Sequence, residues 1–332
     1  MFSPLVTYIL HTSMKELASA IVGLCSRATP FLIVTMHSAK PGKIIRLKIC
    51  SMAAAACIIC VCSWVSGAAA PLPDGADKQT IRLQDMSLTV FTYRPHGCRE
   101  PSLVVVLHGL SRNADGYRDY MRPLADHHCL LVAAPQFDKE RFPQWRYQHG
   151  GIVQRGLVQD PHQWTGNIVV ELVEHIRRLE GRPLRYSLIG HSAGGQFLSR
   201  LAAFVPTEAQ RIVIANPGTH VFPDLQVKAP FGMGGVYTET TADASLRRYL
   251  EQPITIFLGQ DDTDNEHLNE STEAIAQGAT RYARGLNAFR AAQAVARSRS
   301  WTCNWRLVEL PGVGHKAREM FASQAASEAL RP

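Results

Sequence analysis

Tyr186-Ser187-Leu188-Ile189-Gly190-His191-Ser192-Ala193-Gly194 decides the fold of this chain. The first four residues read as a strand. Beyond Gly194, residues Phe197, Leu198, Leu201, Ala202 and Val205 fall on one face of a helix. Between strand and helix stands G-x-S-x-G. A turn this tight forces its serine into strained backbone geometry and lifts Oγ clear above the sheet. Glycine at the flanking positions removes Cβ atoms that would collide there. Two glycines and a serine in this pattern arise by chance about 0.1 times in a chain of this length. The strand before the motif and the helix after it therefore carry the reading.

Working outward, the same alternation recurs. Gln79 to Leu83 and Ser87 to Tyr93 alternate like two antiparallel strands joined at Gln84-Asp85. Leu103 to Leu107 and Leu130 to Ala134 are continuous apolar runs, as in strands buried on both faces. Arg211 to Ala215, Ile254 to Leu258 and Trp305 to Leu310 are further strands. Ile168 to Leu179, Tyr282 to Ala296 and a closing segment from Ala317 to Leu330 read as helices, and Asp115, Arg118 and Asp119 as a helix face in water. Strands alternating with helices predict an α/β fold, a mostly parallel central sheet flanked by helices with right-handed crossovers.

Three strand ends carry chemically capable residues. Ser192 follows one. Gly259-Gln260-Asp261-Asp262-Thr263-Asp264 follows the strand ending at Leu258. Pro311-Gly312-Val313-Gly314-His315 follows the strand ending at Leu310. Parallel strands bring these ends to one edge of the sheet, in the chain order Ser, Asp, His. A serine hydroxyl needs an imidazole to take its proton, and the imidazole needs a carboxylate to fix its tautomer. Asp261, Asp262 and Asp264 all stand where that carboxylate is wanted. Among thirteen histidines, His315 alone lies late, between glycine-marked turn and closing helix. Leu107-His108-Gly109-Leu110-Ser111 supplies a backbone N–H, at Leu110, for a developing oxyanion, and the N–H of Ala193 supplies the second. His108 is expected to orient that segment and His191 to pack beside the turn.

The first 70 residues read differently. Lys40, Lys43, Arg46 and Lys48 precede Ile49 to Cys62, an alanine- and cysteine-rich apolar run, and then Ser66-Gly67-Ala68-Ala69-Ala70. Charged, apolar, then small is the order of a secretory signal peptide. Cleavage is expected near Ala68 to Ala70, with Pro71 disfavouring a cut directly after Ala70. A membrane anchor is the alternative, although the run is only marginally long enough to span a bilayer. Met36 is the better start, and residues 1–35 read as an over-extended gene start. Residues 1–70 are thus an N-terminal extension and signal peptide, and 71–332 one catalytic domain. The expected location is secreted or periplasmic, without stable membrane association after cleavage.

Charge and cysteines fit that division. Residues 1–70 hold six Lys or Arg against the single acid Glu16, so they carry five of the formal seven positive charges. The mature chain is near neutral and has no basic stripe with interleaved aromatics, which argues against a nucleic-acid partner. Five of eight cysteines lie in the leader, leaving Cys98, Cys129 and Cys303. Cys98 and Cys129 precede strands that would be neighbours. A disulfide between them suits an oxidising compartment, and three buried thiols are the alternative. Neither C-x-x-C nor H-E-x-x-H occurs after residue 70, so no metal is expected.

With the elbow, the oxyanion segment His108-Gly109, Asn113 soon after it, and the three strand ends in place, residues 80–330 resemble the α/β-hydrolase superfamily. The lack of room for a large cap domain resembles secreted esterases related to polyhydroxybutyrate depolymerases and feruloyl esterases. The resemblance implies an α/β-hydrolase fold. It places the acid three residues after Gly259, at Asp262, with Ser192 and His315 completing a catalytic triad. It implies a serine hydrolase of carboxylic esters that needs no cofactor and takes a small-molecule or oligomeric ester. A peptidase or polyamide hydrolase with the same triad is the second reading, and a non-catalytic binding protein of this fold the third. Trp145, Tyr147 and Tyr237, in loops opening on the catalytic edge, are expected to line the substrate pocket, with His149 and His162 at its rim.

Overall fold

The computed structural model describes residues 70–332. The leader reading falls on residues 1–69, outside the described residues, apart from the last small residue, Ala70. Among the described residues no helix is long and apolar enough to cross a membrane.

The apolar runs become strands, and the amphipathic runs become the helices that cover them. In chain order these are β1 (Gly75–Arg82), β2 (Ser87–Arg94), β3 (Ser102–Leu107), α1 (Ala114–Tyr120), α2 (Arg122–His128) and β4 (Leu130–Pro135). A small hairpin follows, β5 (Val153–Gln154) and β6 (Leu157–Val158), then α3 (Gly166–Glu180), β7 (Tyr186–His191), α4 (Ala193–Phe204) and β8 (Arg211–Ala215). The chain closes with α5 (Glu239–Glu251), β9 (Ile254–Gly259), α6 (Thr272–Gln277), α7 (Arg281–Arg299), β10 (Arg306–Leu310), α8 (Ala317–Ala322) and α9 (Gln324–Leu330).

Eight strands form one sheet in the order β1-β2-β4-β3-β7-β8-β9-β10. Only β2 runs against its neighbours; β4 through β10 are parallel. Alternation along β3 explains the run that the sequence left continuous. Leu103, Val105 and Leu107 enter a core under α3, α4, α5 and α7, while Val104 and Val106 enter a second core under α1, α2, α8 and α9. A period of two with apolar residues in both phases is what a sheet covered on both faces demands. Helix α3 buries Val169, Leu172, Val173 and Ile176, one stripe at helical spacing, and stops at Gly181 in the left-handed conformation.

Two expectations change in detail. The closing helix is broken: Ser323 is extended and its side chain caps α9 by accepting from Ala326 N–H, so α8 and α9 are separate. Arg118 does not face water. Its guanidinium donates to the carbonyls of Asp77 and Thr92, which ties α1 to the β1–β2 ribbon. Cys98 and Cys129 are disulfide-bonded with Cα atoms 5.5 Å apart, bridging the entries to the adjacent strands β3 and β4.

Candidate active site

Ser192 sits between β7 and α4 with φ 58° and ψ −117°. A left-handed conformation is strained for a residue with a side chain. The strain is held by neighbours on every side. Ser192 N–H donates to the Ala215 carbonyl at 3.0 Å, and its own carbonyl accepts from Gln196 N–H at 2.9 Å, starting α4. The glycines are needed for close approach rather than flexibility. A Cβ on Gly190 would lie 2.5 Å from the Gly194 carbonyl oxygen, and one on Gly194 would lie 2.2 Å from that of Leu107. A single methyl group at residue 194 would therefore push apart β3 and the elbow.

The structure brings together the three residues that the strand ends placed on one edge. Ser192 Oγ is 2.9 Å from His315 Nε2, and His315 Nδ1 is 2.7 Å from Asp262 Oδ2. An ionised carboxylate can only accept, so Nδ1 carries the proton and Nε2 is left to accept from the serine hydroxyl. Asp262 is fully buried, whereas His315 is partly open to the cleft. Asp264 is 59% exposed at its side chain and points to Arg281 instead.

What holds Asp262 and His315 at this distance was not visible in the sequence. Asn216, at the end of β8 and fully buried, accepts from Gly259 N–H at 2.9 Å and donates to the Gly314 carbonyl at 3.2 Å. Asp261 N–H adds a bond to the Val313 carbonyl at 3.1 Å. One amide thus ties the loop after β9 to the loop after β10. Arg281, at the start of α7, bonds the outer oxygen of Asp262. Neither residue belongs to a recognisable motif. Each lies far along the chain from the groups it holds, so spacing gives no signal.

The segment 107–111, expected to bind an oxyanion, is equally constrained. Imidazole Nδ1 of His108 lies 3.0 Å from the Gly109 carbonyl, and Nε2 accepts from Phe137 N–H at 3.0 Å. Burial pushes the His108 imidazole down to about 4. Tyr147 donates to the His108 carbonyl at 2.8 Å. His191 is buried beside the elbow, its ring centroid 4.5 Å from that of His315 and its Nδ1 3.2 Å from the Tyr117 hydroxyl. Burial, and then the neighbouring His315, hold it well below the ordinary imidazole range. Both histidines occupy the structural roles expected of them.

Ser192, His315, Leu110 and Ala193 open on one cleft of about 780 Å³, with Gln148, Gln196, Lys316 and Arg318 also on its walls. A cleft of about 850 Å³, lined by Trp145, Trp164, Phe204 and several glutamines, contains no member of the Ser-His-Asp set. The smaller cleft is the one that Ser192 and His315 line.

The expected pocket aromatics are a correction. Tyr147 is fully buried, packed against Phe137, Phe197 and His108. Trp145 lines the other cleft. Tyr237 stacks on Phe204 and bonds the Ala203 carbonyl behind α4. Of these loops only Gln148 and Gly218 line the cleft beside Ser192, and of the three rings Tyr147 alone turns fully inward, where burial of its area stabilises more than exposure. His149 likewise leaves the rim. It packs on Phe231 and burial pushes it down to about 3. Among the described residues no group of three or more His, Cys, Asp or Glu side chains is placed to hold a metal ion.

A single sheet with one antiparallel strand, covered by helices on both faces, and a strained serine hydrogen-bonded to a histidine–aspartate pair at its edge, define a hydrolase of the α/β class. The family model described as alpha/beta hydrolase family matches residues 104–330, and the chain belongs to that family. Among solved structures it is similar to the poly(3-hydroxybutyrate) depolymerase LpqC from Bordetella parapertussis. The identity is 34%, over 76% of this chain and 90% of that one, with a TM-score of 0.71. It is also similar to poly(aspartic acid) hydrolase-1 from Sphingomonas sp. KT-1. There the identity is 32%, over 78% of this chain and 99% of that one, with a TM-score of 0.72. No curated protein sequence matched the chain.

Proposed function

We propose that this hydrolase cleaves carboxylic esters through an acyl-enzyme, and that it acts outside the cytoplasm. The observation that carries the reaction is the continuous hydrogen-bond chain from Ser192 Oγ through His315 to Asp262, at 2.9 and 2.7 Å. Ser192 Oγ attacks the carbonyl carbon while His315 Nε2 takes its proton. Asp262 holds the Nδ1–H tautomer and stabilises the imidazolium. The N–H groups of Leu110 and Ala193 receive the oxyanion, assisted by the positive end of α4. His315 then protonates the leaving alcohol. Water then attacks the acyl carbon as His315 Nε2 takes its proton, and that proton passes to Ser192 Oγ as the acyl–Oγ bond breaks and the acid leaves.

The substrate is a small or oligomeric ester. The likeness to a poly(3-hydroxybutyrate) depolymerase favours esters; the likeness to a poly(aspartic acid) hydrolase favours a second reading, cleavage of amides by the same groups. Labelling by a fluorophosphonate, followed by turnover of p-nitrophenyl esters, 3-hydroxybutyrate oligomers and aspartyl oligomers, tests both. Ester turnover with labelling at Ser192 is expected. Turnover of aspartyl oligomers alone would replace the ester reading with the amide one, and absence of labelling would remove both.

Export is supported by the order of charged, apolar and small residues before Pro71 and by the Cys98–Cys129 disulfide. The protein expressed with its own leader should be recovered from the periplasm or medium with a new N-terminus near Ala68 to Ala70. An uncleaved, membrane-bound chain would favour the anchor instead.

A further inference from the structure

Arg281 is the first residue of α7, and its side chain is 3% exposed. Its guanidinium reaches along one loop. Nη1 donates to Asp262 Oδ1 at 3.4 Å, and to the Asp264 carbonyl and Asp264 Oδ1, each at 3.3 Å. Nη2 donates to the Glu266 carbonyl. The next residue, Tyr282, donates its N–H to the Asp262 carbonyl at 3.2 Å. The start of α7 therefore grips the segment 262–266 from side chain and backbone together.

The consequence falls on the Asp262 carboxylate. Its two oxygens are divided, Oδ2 to His315 and Oδ1 to Arg281. The torsion that turns a carboxylate plane is soft. A carboxylate bonded through one oxygen can swing; one held at both oxygens cannot. The two arms of the guanidinium hold different groups, Nη1 the Asp262 carboxylate and Asp264, Nη2 the Glu266 carbonyl, so the planar fork fixes the direction from which Nη1 meets Oδ1. Resting on the serine-hydrolase reading above, we propose that Arg281 is a positioning residue: it locks the plane of the Asp262 carboxylate and so keeps Oδ2 on His315 Nδ1.

Loss of position lowers the rate without touching substrate binding. A merely structural arginine would not produce a loss of kcat at constant KM.

The test compares wild type, Arg281→Met and Arg281→Lys, with folding checked by circular dichroism. Hydrolysis of a p-nitrophenyl ester is followed at fixed pH. For Arg281→Met, kcat should fall by about 10²-fold, with KM changing by less than about threefold. Arg281→Lys keeps the charge and loses the fork, so kcat should fall only partway at unchanged KM. A folded Arg281→Met with wild-type kcat overturns the proposal. If Arg281→Met does not fold, Arg281→Lys decides: reduced kcat at unchanged KM supports it, and wild-type kcat overturns it. A wild-type protein that neither hydrolyses esters nor takes up fluorophosphonate defeats the serine-hydrolase reading, and this inference with it. An active wild type with unaffected variants defeats this inference alone.

Discussion

His108 and His315 both lie past the end of a parallel strand, each beside a glycine, on the same edge of the sheet. They differ in what surrounds them. Both ring nitrogens of His108 meet backbone groups, those of Gly109 and Phe137, and the ring is buried. His315 meets a carboxylate at one nitrogen and a hydroxyl at the other, and part of it is open. A histidine whose nitrogens both serve the backbone holds a loop. A histidine between an acid and an alcohol can move a proton. Environment, not residue type or proximity to the serine, separates the two roles.

The largest effects should come from breaking the His315 side of this comparison. Ser192→Ala and His315→Ala should each lower kcat by about 10⁶, because the members act as a unit. Stability should hardly change, since neither side chain fills the core. His108→Ala should do the reverse. It leaves the Phe137 N–H unpaired and should cost about 1–3 kcal/mol of stability, with a smaller loss of rate. Rate constants and urea midpoints on the three proteins check this. An inactive, fully stable His108→Ala would erase the distinction.

A step smaller is the carboxylate. Asp262→Asn should lower kcat by about 10²–10⁴, since the amide favours the wrong imidazole tautomer. Asp264→Asn should cost less than about tenfold, because Asp264 is largely solvated and shares Arg281 with two backbone carbonyls, as in other weak surface pairs. If Asp264→Asn proves the more damaging, the relay runs through the other acid.

How much of this was legible depends on what kind of information each feature carries. Ser192, Asp262 and His315 follow strands, and a backbone position at the end of a parallel strand fixes where a residue lies. Chain order and spacing therefore sufficed for Ser192, His315 and the loop 261–264, while the choice of Asp262 among its three aspartates came from the family resemblance. Trp145, Tyr147 and Tyr237 lie in long connections, where the side chain's direction depends on which neighbours complete the core. Tyr147 turns in because Phe137, Phe142 and Phe197 form a block under the oxyanion segment. No local pattern around residue 147 reports residues 50 positions away. Asn216 and Arg281 were silent for the same reason. Each acts on groups brought near only by the finished sheet. Elements capped by local chemistry, such as the Ser323 break between α8 and α9, were visible in principle, since a serine in mid-helix prefers a cap.

The buried histidines predict how the folded state responds to acid. Burial pushes His108 down to about 4, His149 and His220 to about 3, and His191 well below the ordinary range. In the unfolded chain each takes a proton near pH 6.5. The folded values are depressed, so the unfolded state binds more protons between about pH 6.5 and the folded values. Stability is fully present above about pH 6.5 and declines as the pH falls through that window. Each group contributes about 1.4 kcal/mol per pH unit there. Urea midpoints measured downward from neutral pH should fall steeply before the carboxylates begin to titrate. A flat midpoint from pH 6.5 to 4.5 would mean that these imidazoles are solvated.

The smallest expected effect is the sharpest on the aromatic block. Tyr147→Phe deletes one hydroxyl and leaves the ring in place. That hydroxyl donates to the His108 carbonyl at 2.8 Å, at the strand end that carries the Leu110 N–H. Losing one buried hydrogen bond of this kind costs about 1 kcal/mol, including the carbonyl left short of a partner. The ring still packs on Phe137 and Phe197, so no cavity opens. Tyr147 touches no cleft wall, so KM should be unchanged for any ester. A modest fall in kcat, within about tenfold, would follow if the oxyanion segment loosens. A large change in KM, or in preference among acyl groups, would return Tyr147 to the substrate pocket and show that the block opens when substrate binds.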